Sequence, residues 1–222
     1  MKILCVADHV DPIVYSAAIK QRFADVELVL SAGDLPMEYL SFIASGLNKL
    51  VIFVFGNHNL KALRIYRPDR SDPVAGAAHG LNQPFLGNAY GATYIGGKVL
   101  RTHGLLIAGL GGSIRYNNGE NQFTESQMYR KIVRMVPRFV WNRIVHGRFV
   151  DIVLTHSAPR GINDRDDPCH TGFKAFLWLM KVFKPRYLLH GHVHLYDLNA
   201  VRIARYRETT VINVYDHYIL EI

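Results

Sequence analysis

The sequence predicts an α/β fold. Through its first third, short runs rich in Val, Ile and Leu alternate with helix-like stretches, the pattern that βαβ units and a parallel sheet require. From Tyr90 the runs shorten and pair across glycine turns, which adds antiparallel strands. Acidic, amide and imidazole residues stand directly after apolar runs, and open α/β sheets bind their ligands at such strand ends, in crevices lined by rigidly held loops.

Taken in order, residues 3–6 form a strand that ends at Asp8, 15–23 a crossover helix, and 28–30 a strand that ends at Gly33-Asp34. A helix over 38–47 leads to a strand over 51–55 and then to Gly56-Asn57-His58. The stretch 68–88 holds Pro73, Gly76, Gly80, Pro84 and Gly87, and is expected as a surface loop that shapes access near Asn57 and His58. Residues 92–95, a Gly96-Gly97 turn, 98–102 and 105–110 are expected as a meander. Helical spacing fills 128–148, broken or restarted at Pro137. Strands over 152–154 and 187–189 end at Thr155-His156 and at Gly191-His192-Val193-His194. Strands over 201–205 and 210–214 flank Tyr206-Arg207-Glu208-Thr209 as a closing hairpin. Two sheets with helices outside bury so many strands most simply, and 222 residues at 49% hydrophobic content suffice for a single domain over 1–222.

The apolar run at the start is too short for a signal peptide, and no run reaches the roughly 18 apolar residues of a membrane span. A soluble, cytoplasmic protein is expected. The cysteines, Cys5 and Cys169, are too few for a disulfide scaffold. A net charge of +8 and a pI near 9.5 favour acidic partners: a phosphorylated small molecule or nucleotide, nucleic acid, or anionic lipid.

A Gly-Asp after a strand is usually a turn, and a lone His on an apolar run is usually a hydrogen-bonded core residue. The ordered set is different. Strand ends that together offer carboxylates, an amide oxygen and imidazoles imply a metal centre, and these donors suit Mn, Fe, Zn or Ni better than a thiolate-seeking ion.

Asp8, Gly33-Asp34, Gly56-Asn57-His58, His156 and Gly191-His192-Val193-His194 resemble, in order, the blocks of the calcineurin-like metallophosphoesterase superfamily: Asp-x-His, Gly-Asp, Gly-Asn-His, a later His and Gly-His-x-His. The resemblance implies a four-layer α/β/β/α sandwich of two mixed sheets, with two divalent metals at the strand ends. It implies Asp8, Asp34 and His194 as ligands of the first metal. For the second it implies Asp34, Asn57, His156 and His192, with Asp34 bridging. In that chemistry two cations roughly 3.5 to 4 Å apart bind the phosphoryl oxygens and a bridging water, lower the water's pKa and align it for in-line attack. Mn is the expected ion, with Fe, Zn, Ni or Mg as alternatives. His58 matches the family residue that contacts the phosphoryl group and protonates the leaving oxygen; the plainer alternative is that it only orients the site.

The family's first block has a His two residues after its Asp, where this chain has Val10, which coordinates nothing. Strand alternation puts His9 on the face away from Asp8. Asp11, just before Pro12, either swings toward the site or caps the helix that follows. The first site is therefore expected to be oxygen-rich, weaker, and more tolerant of Mn or Mg than its neighbour.

Gly-rich loops aim backbone N–H groups at phosphate, so the stretch from Leu110-Gly111-Gly112-Ser113 to Arg115 makes Arg115 a candidate phosphate contact, the alternative being an ordinary surface charge. The polar loop over 157–172 should border the substrate, with His170 as a substrate contact or, more simply, a loop-stabilising residue. His190 is expected to be structural. Tyr39, Tyr66, Tyr116 and Phe173 are candidates to stack on a base, although most aromatics should be packing. Residues 128–148 carry Arg130, Lys131, Arg134, Arg138, Arg143 and Arg148 with no acidic residue. They are expected to pack one side on a sheet and solvate the arginines, with an anionic membrane surface as the alternative partner. The expected function is a metal-dependent phosphoesterase, most simply a phosphodiesterase. A phosphomonoesterase, a weakly active or non-catalytic metal-binding scaffold, and a membrane-recruited protein are the alternatives.

Overall fold

The computed structural model describes residues 1–66, 90–197 and 200–222, and the loop expected at 68–88 lies outside them. The first strand, β1 (Lys2–Ala7), turns Leu4 and Val6 to one face and Ile3, Cys5 and Ala7 to the other, all fully buried. A strand apolar on both faces needs cover on both. Beside it lie β2 (Val26–Ser31), β3 (Val51–Phe53) and β4 (Ala92–Tyr94) in parallel, and the last strand, β13 (Asp216–Glu221), is antiparallel at its other edge. The second sheet runs β11 (Ile203–Tyr206), β12 (Thr209–Asn213), β10 (Tyr187–His190), β9 (Ile152–Thr155), β6 (Leu105–Leu110), β5 (Val99–Thr102). Its four inner strands are parallel and its two edges antiparallel, so both sheets are mixed, and β7 (Ser113–Ile114) pairs with β8 (Gln122–Phe123) in a separate two-stranded ribbon.

Three apolar layers follow from the strand alternation. Ile3, Leu28, Leu30 and Ile52 meet Ile107, Ile152, Leu154 and Leu189 between the sheets. Leu4, Val6, Val29 and Phe53 pack outward on α1 (Ile19–Arg22) and α2 (Met37–Leu47), with α3 (Leu63–Tyr66) beside them. Leu110, Val153, Leu188 and Val211 pack outward on α4 (Glu125–His146) and α5 (Lys174–Phe183). The architecture is a four-layer α/β/β/α sandwich, and the parallel strands β1, β2, β3, β9 and β10 all deliver their C-terminal ends to one edge.

Three expectations change. The stretch over 92–110 is not one meander: β4 extends the first sheet, whereas β5 and β6 form a hairpin in the second. The chain crosses between sheets at Gly96, which bridges Gly109, and a Cβ on Gly109 would lie 2.5 Å from the Ile95 carbonyl. The crossover helix expected over 15–23 shrinks to the single turn of α1. Conversely α4 runs unbroken through Pro137, which lies on the exposed face, where water can solvate the carbonyl it deprives of a donor. A capping box starts this helix: Gln127 N–H donates to Thr124 Oγ1 at 3.3 Å, and Thr124 N–H to Gln127 Oε1 at 2.8 Å. Gly147, at φ 73°, ends it. The Glu125 carboxylate then caps α5 by accepting from Lys174 N and Ala175 N.

The two faces of α4 should answer mutation differently. Phe139 is fully buried, and Phe139→Ala is expected to cost about 3–5 kcal/mol in urea-induced unfolding. Ile144 is 73% exposed, and Ile144→Ser should stay within about 0.5 kcal/mol of the parent.

Candidate metal centre

The strand ends converge because the backbone turns sharply there. Asp8, Asp34 and His192 adopt φ of 67°, 58° and 67°, the left-handed region that breaks strand alternation and is sterically costly outside glycine. The glycines of the motifs serve close approach. A Cβ on Gly56 would lie 2.1 Å from Asp34 Oδ1 and 2.5 Å from His156 Cε1, and one on Gly191 would lie 2.4 Å from Asp8 Oδ2.

His156 is the hub. Its imidazole is completely buried, and Nδ1–H donates to the Ala32 carbonyl at 2.8 Å, across the gap between the two sheets. Its Nε2 faces Asp34 Oδ2 at 3.2 Å, Asn57 Oδ1 at 3.2 Å and His192 Nδ1 at 3.1 Å. Burial favours the neutral ring, but the Asp34 carboxylate, its hydrogen bond and the Asp8 charge overcome this and lift the His156 pKa to about 9. Burial likewise pushes Asp34 up, and the charge and hydrogen bond of His156, with the His58 N–H at 2.7 Å, bring it down to about 2. His192 is held near pKa 3, first by burial and then by the charge on His156, so its Nδ1 presents a lone pair. Three acceptors thus share one Nε2 proton. Those three acceptors, joined by Nε2 once its proton leaves, make two nitrogens and two oxygens, the donor set a divalent cation takes, so the residues fit a metal.

Their neighbours hold each ligand in the correct form. With Nδ1–H of His156 on Ala32 O, Nε2 is the free coordinating atom. Nε2–H of His192 donates to the Cys169 carbonyl at 2.6 Å, which leaves Nδ1 inward. The Asn57 amide donates to the Tyr116 hydroxyl at 3.2 Å, which fixes Oδ1 toward the cluster. Buried Asn121 donates to the carbonyls of Phe55 (3.2 Å) and Gly56 (2.5 Å) and secures the loop that carries Asn57.

The first set of candidate ligands is not gathered in the same way. Both Asp8 oxygens accept the backbone N–H of His192, at 3.0 and 2.9 Å. Burial, partly countered by the charge on His156 and reinforced by Asp34, pushes the Asp8 carboxyl up to about 7. His194 turns its Nδ1 to the Tyr196 hydroxyl at 2.6 Å and lies over Tyr215, and burial lowers its pKa. Asp11 does not swing inward: its carboxylate accepts from Ile13 N–H and pairs with His217, and it caps a turn rather than the expected helix, which starts only at Ile19. His9 points away, bonded to Asp216 at 2.8 Å, but the left-handed turn at Asp8 rather than strand alternation sends it there. Val10 packs against the first sheet's core.

The remaining candidates separate clearly. His58 is exposed at the rim, tethered by its own N–H to Asp34. Arg115 turns to Gln127 Oε1 at 3.4 Å, and the Gly112 N–H is taken by the Phe55 carbonyl, so neither aims at the cluster. His170 bonds the Asp167 carboxylate at 2.8 Å and lies 5.2 Å from the His192 ring, which makes it the brace of the loop that presents Cys169 O. His190 is buried, and burial lowers it to about 4. Tyr39 and Phe173 are core, Tyr66 packs with Phe53, Phe55 and Tyr94, and Tyr116 bonds Asn57. Sequence reasoning misses Asn121 and the carbonyls of Ala32 and Cys169; a backbone acceptor leaves no residue-type signal.

The profile of the calcineurin-like phosphoesterases matches residues 1–196. A crystal structure of 16% identity superposes at a TM-score of 0.64 over 99% of this chain and 94% of that one. The protein TT1561 of Thermus thermophilus, 12% identical, superposes at 0.57 over 97% of this chain and 89% of its own. An archaeal phosphodiesterase, 14% identical, reaches 0.44 over 100% and 93%. No curated protein matches the sequence.

Metal loading should displace the His156 proton. Because His156 titrates near 9 without metal, it is charged at pH 7.5, and a coordinating nitrogen must be neutral. Adding Mn to chelator-treated protein in weak buffer is expected to release about one proton per chain at pH 7.5, and markedly less above pH 9, where the ring is already neutral. Equal release at both values would contradict the assignment.

Proposed function

Because the chain belongs to the calcineurin-like phosphoesterase family and is a metal-dependent phosphoric ester hydrolase, we propose that it is a phosphodiesterase. Asp34, Asn57, His156 and His192 hold the stronger of two divalent ions, with Mn the best match to this mixed oxygen and nitrogen set. When bound, the ions supply positive charge to the phosphoryl oxygens and acidify a water for attack on phosphorus. Asp8, with Asp34 and His194, serves the weaker ion.

The observation that carries the diester reading is that, among the described residues, the arginines of the neighbouring loops are turned to other partners rather than to the cluster. A monoester dianion brings a second negative charge, and the arginines near the site are already engaged: Arg165 with the His194 carbonyl, Arg160 with Asp164 and Asp166, Arg115 with Gln127. A diester, with one negative charge, matches this surrounding. His58 then stands at the open rim, positioned through its backbone on Asp34, where its ring gives a proton to the departing oxygen.

With Mn, kcat/KM is expected to be higher for bis-para-nitrophenyl phosphate than for para-nitrophenyl phosphate; the reverse order would overturn the diester reading. His58→Ala should lower kcat by about 10²–10⁴ for a diester with a poor alkoxide leaving group, and by much less for a nitrophenyl one. Equal losses for both would remove the proton-donor role while leaving the metal ligands untouched.

A further inference from the structure

α4 packs one apolar face on the second sheet and presents another to solvent. Met128, Ile132, Met135 and Phe139 are buried, yet Val133, Val140, Trp141, Ile144 and Val145 are 45–73% exposed. At 100° per residue, positions 133, 137, 140, 141 and 144 share the outward sector. Arg130, Arg134 and Arg138, spaced four apart, form a row that slants from within this sector to its flank. No acidic residue lies between Glu125 and Asp151, and among the described residues Arg134 and Arg138 have no carboxylate partner. No helix among these residues is long and apolar enough to cross a membrane.

A surface helix that keeps a Trp, an Ile and three valines in water beside a row of cations with no carboxylate partner among the described residues is suited to an interface that is oily and negatively charged at once. We propose that the outward face of α4 docks this protein on the surface of an anionic lipid bilayer. Trp141, Ile144 and Val145 enter the boundary between headgroups and acyl chains, and Arg130, Arg134 and Arg138 meet lipid phosphates. A second copy of the chain fits less well, because two such faces would bring like-charged arginine rows together. Nucleic acid would satisfy the arginines but set Ile144 and Val145 against phosphates. The placement leaves the strand-end cluster free. Thr124 starts α4 beside the loop of Asn121, and Trp141 lies about 25 Å farther along the axis at 1.5 Å per residue.

Co-sedimentation at low salt with phosphatidylcholine vesicles, with and without phosphatidylglycerol, tests the proposal. Binding is expected only with phosphatidylglycerol, together with a blue shift of tryptophan emission that Trp141→Phe abolishes. Arg134→Ala with Arg138→Ala should weaken binding roughly thirtyfold, the factor expected from two cations at a membrane surface. All these side chains are exposed, and unchanged thermal melts would confirm that the variants fold. Absence of binding to phosphatidylglycerol vesicles would overturn the proposal, as would binding indifferent to these substitutions. Trp141-dependent dimers in sedimentation equilibrium, or arginine-dependent binding of duplex DNA without lipid binding, would reassign the face and overturn it equally.

Discussion

One imidazole holds the centre together. His156 rises from the second sheet, donates through Nδ1 to a carbonyl of the first, and brings Nε2 to face a carboxylate, an amide and a second imidazole. Every other feature of the edge is compatible with that placement. Gly56 must lack a side chain because the His156 ring passes beside it, and Asp34 is drawn to low pKa by the imidazolium it contacts. The ring is completely buried, so its charge is tolerable only while Asp34 answers it. A divalent cation would relieve this arrangement, because Asp34, Asn57, His156 and His192 would then direct all their inward lone pairs at one charge.

The fold and the cluster differ in how legible they are. Strands buried on both faces announce themselves as continuous Val, Ile and Leu runs, and the ligand types at their ends are explicit in the sequence. The sheet to which a strand belongs is not explicit. Gly96 looks like a hairpin turn, and its use as a passage between sheets depends on contact with Gly109, thirteen residues on. Pro137 looks like a helix break, but a proline on a solvated face breaks little when the opposite face is anchored by Ile132, Met135 and Phe139. The supports of the ligands are the least legible part. Two are backbone carbonyls, and one is the hydroxyl of Tyr116, which as a residue type suggests stacking rather than the orientation of an amide.

The two candidate ligand sets are unequal for a reason larger than Val10. Asp8 is engaged by the His192 backbone through both oxygens, so it also serves as a latch between the first strand and the Gly191-His192 loop. His194 is drawn outward by Tyr196 and Tyr215, and Asp11 is fastened to His217 on the last strand. The side of the centre that has lost an imidazole is thus knitted into the neighbouring loops, whereas the other side keeps its lone pairs directed inward.

The left-handed backbone at Asp8, Asp34 and His192 acts as a filter on sequence drift. A β-branched residue at any of them would strain the main chain by roughly 1–2 kcal/mol before any loss of ligation was felt. Position 10 lies outside that region, so the backbone is indifferent to whether an imidazole or an isopropyl group stands there. The gap in the motif falls where the scaffold places no conformational guard, and the candidate ligands Asp8, Asp34 and His192 are the three that the scaffold guards itself.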